Sequence, residues 1–287
     1  MYVYLNSRLV PAAAAPVSVF DRGFAFGDSL IETLRILEGH PVFFNEHLLR
    51  MRRSMTETGF QTALDAEGLR NQAVLLAELN GVVNGRLRIQ LSRGTPAVFS
   101  GVDPDGELTP TLLLTVEAFP GYPEEFYLHG AECVTVPANR GHYARYKSAS
   151  LMPTILARLE ATKVGAWESI FLSGHGRLLE GSFTNIFFLR GGALQTAGED
   201  QPLLPGVVRD KIISLADRMG LAIKYEAPKA GELKSGEDAA FLTSSLLGVC
   251  PVRRIDEKQL RLASDLLAHV APVLPKLGLA MAGEGGA

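Results

Sequence analysis

Apolar and polar residues alternate along the first part of the 287-residue chain in two different periods. Runs with a period of two predict strands, and runs with a period near 3.6 predict helices. Asn45 is a typical N-cap, so we expect a helix to begin directly after it. The predicted elements are strands over residues 2–5, 29–37, 41–44, 86–93 and 111–116, and helices over residues 46–58 and 66–79.

Residues 119–125 carry two prolines and a glycine between structured runs, and this composition predicts a linker between two domains. In the second part, the helix starting at Ser150 should bury a side formed by Leu151, Ile155, Leu156 and Leu159. Beyond the linker the pattern predicts strands over residues 126–136, 169–172, 178–179, 222–225 and 239–243, and helices over residues 150–164, 207–219 and 263–277. We therefore expect an α/β (α+β) fold with a small N-terminal domain, residues 1–118, and a larger C-terminal domain, residues 126–287.

The amino-acid composition argues against several classes of function. The net charge of −3 argues against nucleic acid or an anionic membrane as the main partner. No apolar run approaches the ~20 residues of a membrane helix, and the N-terminus lacks a signal pattern, so we expect a cytoplasmic protein. Cys133 and Cys250 are far apart and are interpreted as core residues. Because no two histidines have a zinc-binding spacing, we predict no metal site.

Residues 178–209 hold the most informative chemistry. Glu180 opens a strand-forming run that also contains Asn185, and a carboxylate beside a buried strand needs a partner. A Pro-Gly turn follows, and Gly206, Val207 and Val208 lie where the backbone N–H groups of a helix start are unpaired. Such N–H groups can bind a phosphate. An acid and a phosphate site together suit a ligand with a basic ring and a phosphate.

Lys147 is the candidate nucleophile, because nearby cations and partial burial can lower the pKa of an amine toward neutrality. The alternative is a solvated surface lysine. An amine of this kind serves pyridoxal phosphate, which also needs an acid at its ring nitrogen and a binding site for its phosphate. Glu180 and the turn at residues 205–209 are candidates for these two roles.

Three further positions could bind anionic groups. Arg50 lies one helical turn from Glu46 and could reach a phosphate, although arginine clusters on helices are usually solvated. Residues 243–245 offer hydroxyl and N–H groups to the same phosphate, or are simply the end of a strand. Arg88, on the polar face of a strand, could bind a substrate carboxylate or form a cross-strand ion pair.

These motifs, in this order, resemble the class IV aminotransferases, the fold-type IV pyridoxal-phosphate family. The family includes branched-chain aminotransferases, D-amino-acid aminotransferases and 4-amino-4-deoxychorismate lyases. The resemblance is specific because several separated motifs agree. The segments that carry it are residues 21–23, 26–28, 45–51, 178–188, 204–210 and 241–245.

The resemblance implies a pyridoxal 5′-phosphate cofactor and a role for each matching residue. Lys147 resembles the Schiff-base lysine, Glu180 the acid paired with the pyridine nitrogen, and Arg50 the phosphate-binding arginine. The implied cofactor-binding residues are Arg50, Lys147, Glu180, Asn185, Gly206, Val207, Val208, Ser244 and Ser245. For the substrate we predict Thr33, Arg88 and Leu246 as binding residues. The family also implies a C-terminal mixed β-barrel-like domain with helices, and a homodimer.

Differences among family members point to a substrate. Branched-chain aminotransferases usually have a tyrosine five residues after the lysine, where this chain has Met152. The loop at residues 94–110 lacks the Arg-x-His pair of D-amino-acid aminotransferases, whereas residues 86–94 and 243–249 resemble those of the lyases. The Arg-Gly-Tyr of some lyases is missing. We predict a lyase that converts 4-amino-4-deoxychorismate to 4-aminobenzoate and pyruvate for folate synthesis. The alternatives are an aminotransferase on branched-chain or D-amino acids and a non-catalytic phosphate-ligand binding protein.

Overall fold

The computed structural model describes residues 1–98, 101–104, 106–138 and 141–262. The chain divides into two compact units. The first unit contains Met1–Pro120 and Tyr146–Leu151, and the second contains Gly121–Arg145 and the chain from Met152 onward. The predicted helix over residues 263–277 lies outside the described residues. Within the described ranges, no helix combines the length and the apolar character needed to cross a membrane.

The first unit is an antiparallel sheet covered by two helices. Its elements are β1 (Tyr2–Leu5), β2 (Arg8–Pro11), α1 (Arg22–Phe26), β3 (Ser29–Leu37), β4 (His40–Pro41), α2 (Phe44–Glu57), α3 (Ala66–Leu79), β5 (Gly85–Ser92), β6 (Thr95–Pro96), β7 (Leu108–Thr109) and β8 (Leu112–Ala118). The main sheet has the strand order β2-β1-β8-β5-β3-β4, while β6 and β7 pair separately. The predicted helix over residues 66–79 is therefore confirmed.

Period-two alternation decides which face of this sheet is buried. Leu34 on β3, Leu87 on β5 and Leu114 on β8 are fully buried and share one core with apolar residues of α2 and α3. Each leucine contributes about 1.5–3 kcal/mol by leaving water. Glu32 lies on the same side of β3 as Leu34, because residues two apart on a strand share a face. An acid is thus placed inside an apolar core.

The start of α2 differs from the prediction. The helix begins at Phe44, and Phe43 is its N-cap residue with a left-handed φ of 53°. Asn45 lies inside the first turn, where its Oδ1 accepts a hydrogen bond from Arg70 Nη2 at 2.6 Å. The sequence alone could not reveal this, because the contact joins residues from two different helices.

Residues 146–151 belong to the first unit because they pair with β3. The N–H of Ile31 donates to the Lys147 carbonyl oxygen at 2.8 Å, and Leu30 forms an antiparallel bridge with Ser148. The sequence placed Lys147 in the C-terminal domain, whereas its contacts assign it to the first unit. The division between the units at Pro120 and Gly121 falls within the segment predicted as a linker.

The second unit contains a closed barrel of six strands. Its elements are α4 (Glu124–His129), β9 (Ala131–Pro137), α5 (Met152–Lys163), β10 (Glu168–Leu172), β11 (Leu178–Gly181), β12 (Asn185–Arg190), β13 (Ala193–Gln195), α6 (Val207–Arg218), β14 (Ile223–Lys224), β15 (Ala239–Ser244), β16 (Gly248–Ile255) and β17 (Lys258–Gln259). The ring runs β9-β10-β11-β12-β15-β16 and closes because β16 pairs with β9 and β11 pairs with β12. Strand β9 is parallel to both of its neighbours, so the barrel is mixed, as predicted.

Two elements of this unit were mispredicted. Residues 126–129 form the end of helix α4 rather than a strand, and the acidic Glu124 and Glu125 in its first turn favour that helix start. Strand β16 was missed, because a proline such as Pro251 usually argues against a central strand. Its pairing with β9 begins at Val252, directly after the proline.

The predicted buried side of α5 is wrong. Ile155, Leu156 and Leu159 have 50%, 54% and 52% of their surface exposed. The buried residues of this helix are Ala157 and Ala161. Ala157 shares a small core with Val136 and Phe171 of the neighbouring strands. Small side chains let the helix approach the barrel closely, which leaves the larger apolar side chains outside.

Candidate active site

Strand β3 organises the candidate residues of the first unit. Lys147 is half-buried, and its carbonyl oxygen accepts a hydrogen bond from Ile31 on this strand. Ser148 forms a bridge to Leu30 on the same strand. The backbone at Lys147 is therefore hydrogen-bonded to the first half of β3. These backbone contacts fix the point from which the Lys147 side chain, with its amine, extends.

Arg50 forms a two-point hydrogen-bonded ion pair with the buried Glu32. Arg50 Nε lies 2.9 Å from Glu32 Oε1, and Arg50 Nη2 lies 2.6 Å from Glu32 Oε2. His47 Nδ1 lies 2.7 Å from the same Oε2. A two-point pair of this kind fixes the plane of a guanidinium. Arg50 is thus held in one orientation, and its role toward a phosphate stays a prediction.

Burial and the ion pair between Arg50 and Glu32 determine the protonation of Glu32 and His47. Burial raises the pKa of Glu32, but the Arg50 charge and the hydrogen bonds from His47 and Arg50 outweigh it and hold that pKa at about 2. Burial lowers the pKa of His47 most strongly, and the charges of Arg50 and Lys147 lower it further against the opposing effect of Glu32. His47 is therefore neutral at pH 7 and donates its Nδ1 proton to Glu32. Glu32 and His47 were not among the residues predicted for the site, although an acid between Leu30 and Leu34 on an apolar face was a usable signal.

Thr33 and Arg88 lie directly opposite each other on β3 and β5, and Thr115 lies opposite Arg88 on β8. Arg88 Nη2 donates to Gln90 Oε1 at 3.3 Å. Burial lowers the pKa of Arg88, as does the nearby Arg86 charge, but an arginine stays protonated. Within the described residues, Arg88 forms no ion pair with a carboxylate, unlike Arg50 and its partner acid. A half-buried cation of this kind is suited to an anionic group of a substrate.

The second unit brings Glu180, Asn185 and Gly206 together. Glu180 and Asn185 are paired across β11 and β12, and Glu180 has only 2% of its surface exposed. The N–H of Leu204 donates to Glu180 Oε2 at 3.0 Å, and Asn185 Nδ2 lies 2.9 Å from the Leu204 carbonyl oxygen. A Cβ at Gly206 would lie 1.9 Å from Asn185 Oδ1, so a larger residue there would displace the Asn185 amide. The predicted acid is thus buried beside the turn that leads into α6.

The N-terminus of α6 has the geometry of an anion site. Gly206 is its N-cap residue, and no side chain caps this helix start among the described residues. Val207 and Val208 are buried apolar residues, so any contact from them to an anion would use their backbone N–H groups. Unpaired N–H groups and the helix dipole favour a phosphate at such a position.

Residues 243–246 comprise the last two residues of β15 and the turn after it, next to Asn185. Asn185 and Thr243 are paired across β12 and β15. Ser244 Oγ accepts a hydrogen bond from the Leu247 N–H at 3.2 Å, and Ser245 and Leu246 complete the turn. Thr243 Oγ1 is buried and has no hydrogen-bond partner within the described part of the chain.

An unpaired buried hydroxyl is costly and points to a polar group that the protein alone does not supply. In the second unit this hydroxyl, a buried acid and an uncapped helix start occur together. These are the groups that a phosphate-bearing pyridine requires. The residues present therefore fit the predicted cofactor.

The sequence profile described as amino-transferase class IV matches residues 29–255. The chain therefore belongs to the class IV aminotransferase family. Members of this family are pyridoxal-phosphate enzymes, and this protein is a pyridoxal-phosphate-dependent enzyme.

Named relatives include both aminotransferases and a lyase. The D-alanine aminotransferase of Listeria innocua is 29% identical over 260 residues, which are 90% of this chain and 89% of that protein. The 4-amino-4-deoxychorismate lyase of Pseudomonas aeruginosa superposes with a TM-score of 0.81 and 26% identity, covering 95% of this chain and 99% of that one. The branched-chain aminotransferase of Thermoproteus uzoniensis, solved with norvaline, gives a TM-score of 0.84 and 24% identity, covering 97% of this chain and 95% of that one, and shows the common fold.

Proposed function

We propose that the protein is a lyase that converts 4-amino-4-deoxychorismate to 4-aminobenzoate and pyruvate, in the cytoplasm and for folate synthesis. The observation that carries this choice is that this chain lacks the residues by which the two groups of aminotransferases are usually distinguished. Met152 replaces the tyrosine of the branched-chain enzymes, and residues 94–110 contain neither arginine nor histidine. The similarity to the Pseudomonas aeruginosa lyase over nearly the whole of both chains supports the same choice.

Each candidate residue has a defined task in this proposal. Bound pyridoxal phosphate supplies an electron sink that stabilises negative charge on the carbon next to the substrate amine. Lys147 would hold the cofactor, and once the substrate amine has displaced it, its free amine would take the proton from that carbon. Glu180 keeps the pyridine nitrogen protonated. The phosphate is held by Arg50, by the Val207 and Val208 N–H groups, and by Asn185, Gly206, Ser244 and Ser245 around them.

Substrate binding is assigned to the face of β3 and β5 that carries Thr33 and Arg88. The substrate has carboxylates, and Arg88 is a half-buried cation that forms no ion pair within the described residues, although the charge of Glu117 acts to raise its pKa. A guanidinium binds a carboxylate at two points, which fixes its orientation as well as its position. Leu246 would contact the ring. Loss of the proton would be followed by cleavage of the bond between the ring and the enol oxygen of the side chain. The released enolate takes up a proton to become pyruvate, and the aromatic product that remains drives the reaction forward.

One preparation of the holoenzyme tests this proposal. The enzyme is given 4-amino-4-deoxychorismate in one arm, and D-alanine or L-leucine with 2-oxoglutarate in the others. We expect 4-aminobenzoate and pyruvate in the first arm. Replacing Lys147 by alanine should abolish the formation of both products, whereas Lys163→Ala, at an exposed lysine of α5, should leave it unchanged. Rapid oxo-acid formation without 4-aminobenzoate would reject the lyase.

A second candidate is a D-amino-acid aminotransferase. The observation that favours it is the 29% identity to the Listeria innocua D-alanine aminotransferase over 90% of this chain. In this reaction Lys147 would move a proton between the substrate carbon and the cofactor, instead of promoting loss of pyruvate. The D-alanine arm of the same assay distinguishes it, and the L-leucine arm tests a branched-chain enzyme.

We also propose that the enzyme is a homodimer with the outer face of α5 in the interface. This face carries Met152, Ile155, Leu156 and Leu159, each with at least half of its surface exposed. A contiguous exposed apolar face of this kind is typical of an interaction surface. Light scattering after chromatography should give a dimer mass, and Leu156→Asp should shift it to the monomer mass. A monomeric wild-type protein would contradict the proposal.

A further inference from the structure

Glu168, at the start of β10, is a fully buried acid that no step above uses. Its Oε1 accepts from the Ser169 N–H at 2.8 Å and from Ser182 Oγ at 2.5 Å. Its Oε2 accepts from Thr184 Oγ1 at 2.9 Å, and the Phe183 N–H lies 3.4 Å away. Three of these four donors come from residues 182–184. One carboxylate therefore binds almost the whole turn between β11 and β12.

This turn connects Glu180 to Asn185. Glu180 is on β11, Asn185 is on β12, and the two are paired across the strands. The turn closes with a hydrogen bond from the Gly181 N–H to the Thr184 carbonyl oxygen at 2.7 Å. A Cβ at Gly181 would lie 2.0 Å from Thr184 Oγ1 and 2.7 Å from Glu168 Oε2. A side chain at Gly181 would therefore displace the Thr184 hydroxyl and the Glu168 carboxylate.

Burying the charge of Glu168 costs free energy, and the nearby cation, Arg158, is itself about one-third exposed, so it offsets only part of that cost. Burial raises the pKa of Glu168, which the donors and Arg158 oppose. Among the described residues its one ion-pair partner is Arg158, whose Nη1 lies 3.7 Å away. A glutamine would present only one acceptor oxygen, and its NH2 group would face a backbone N–H donor, that of Ser169 in one orientation or that of Phe183 in the other. The site therefore requires a carboxylate rather than a polar side chain of the same shape.

We propose that Glu168 is a positioning residue for the cofactor acid, which it holds in place through the Ser182 and Thr184 hydroxyls. The proposal rests on the assignment of Glu180 to the pyridine nitrogen. Glu168 itself touches neither cofactor nor substrate. Its effect reaches the ring nitrogen only through the turn, so it must disappear when the Glu180 carboxylate is removed.

A double-mutant cycle tests this dependence. Apo protein is titrated with pyridoxal 5′-phosphate, and the dissociation constant is taken from the absorbance of the bound cofactor. Glu168→Gln should raise the constant about tenfold, the usual effect of losing hydrogen bonds to a charged group. In a protein that already carries Glu180→Gln, adding Glu168→Gln should change the dissociation constant less than twofold. Glu132→Gln, on the neighbouring β9, is the matched control and should leave it unchanged.

Equal effects of Glu168→Gln in the two backgrounds would show a purely structural role and overturn the proposal. An unchanged dissociation constant in the wild-type background would overturn it as well. If Glu168→Gln does not fold, Thr184→Val removes one link and keeps the acid, and the same cycle applies. A wild-type protein that binds no cofactor would reject the proposed function instead. The choice between lyase and aminotransferase does not affect this titration.

Discussion

Replacing Glu32 by glutamine should destabilise the apo protein by roughly 3 kcal/mol at pH 7. Glu32 is 1% exposed and is held by Arg50 and His47. Its pKa falls from 4.5 to about 2 on folding, and one pKa unit corresponds to about 1.36 kcal/mol. Glutamine also leaves the Arg50 charge without its partner, which is the costly way to break a buried pair.

The size of this effect should depend on pH in a defined direction. Because the folded-state pKa of Glu32 is depressed, its stabilisation is fully present above about pH 4.5 and is lost as the pH falls toward about 2. The difference between wild type and Glu32→Gln should therefore shrink to roughly half by pH 3. Other carboxylates also titrate in this range, but they are common to both proteins and cancel in the difference.

Urea unfolding of both proteins from pH 7 to pH 3 measures this difference. Glu57→Gln is the matched control, because Glu57 forms a solvent-exposed pair with Arg53 on the same helix. Such surface pairs contribute about 0.2–1 kcal/mol, so the control should lie close to wild type. A Glu32→Gln penalty below about 1 kcal/mol, or one that does not change with pH, would refute the reasoning.

Two further changes test the candidate site. Arg88→Gln should raise KM for the substrate at least tenfold and leave the cofactor dissociation constant unchanged, because Arg88 is assigned to the substrate carboxylate; a change in cofactor affinity with an unchanged KM would argue against that assignment. Thr243→Val removes the unpaired buried hydroxyl, so it should stabilise the apo protein by up to about 1 kcal/mol while weakening cofactor binding. Calorimetry and cofactor titration measure the two effects, and a less stable apo protein would contradict the second prediction.

The local pattern of apolar and polar residues was sufficient to predict those helices and strands that have a clear apolar period and recognisable end residues. The helix over residues 66–79 matches α3, and the strand predicted at residues 29–37 matches β3, because each has a clear apolar period with end signals. Glu180 and the turn before α6 could also be found, since an acid and a Pro-Gly pair stand out in a short segment.

Features that depend on tertiary contacts could not be predicted in this way. The periodicity of α5 gave an apolar side, but the barrel accepts only its small alanines. Apart from the neighbouring Ser169 N–H, the donors to the buried Glu32 and Glu168 carboxylates lie 14 to 18 residues away in the chain. A single sequence shows that such acids exist, but it does not show which hydroxyl or guanidinium groups reach them.

The central claim is that Lys147 carries pyridoxal phosphate. The most direct test is to reduce the purified holoenzyme with borohydride, digest it and locate the labelled peptide by mass spectrometry. We expect the reduced cofactor to be attached to Lys147, and we expect Lys147→Ala to carry no label. Attachment of the cofactor to a different lysine, with Lys147 unmodified, would contradict it.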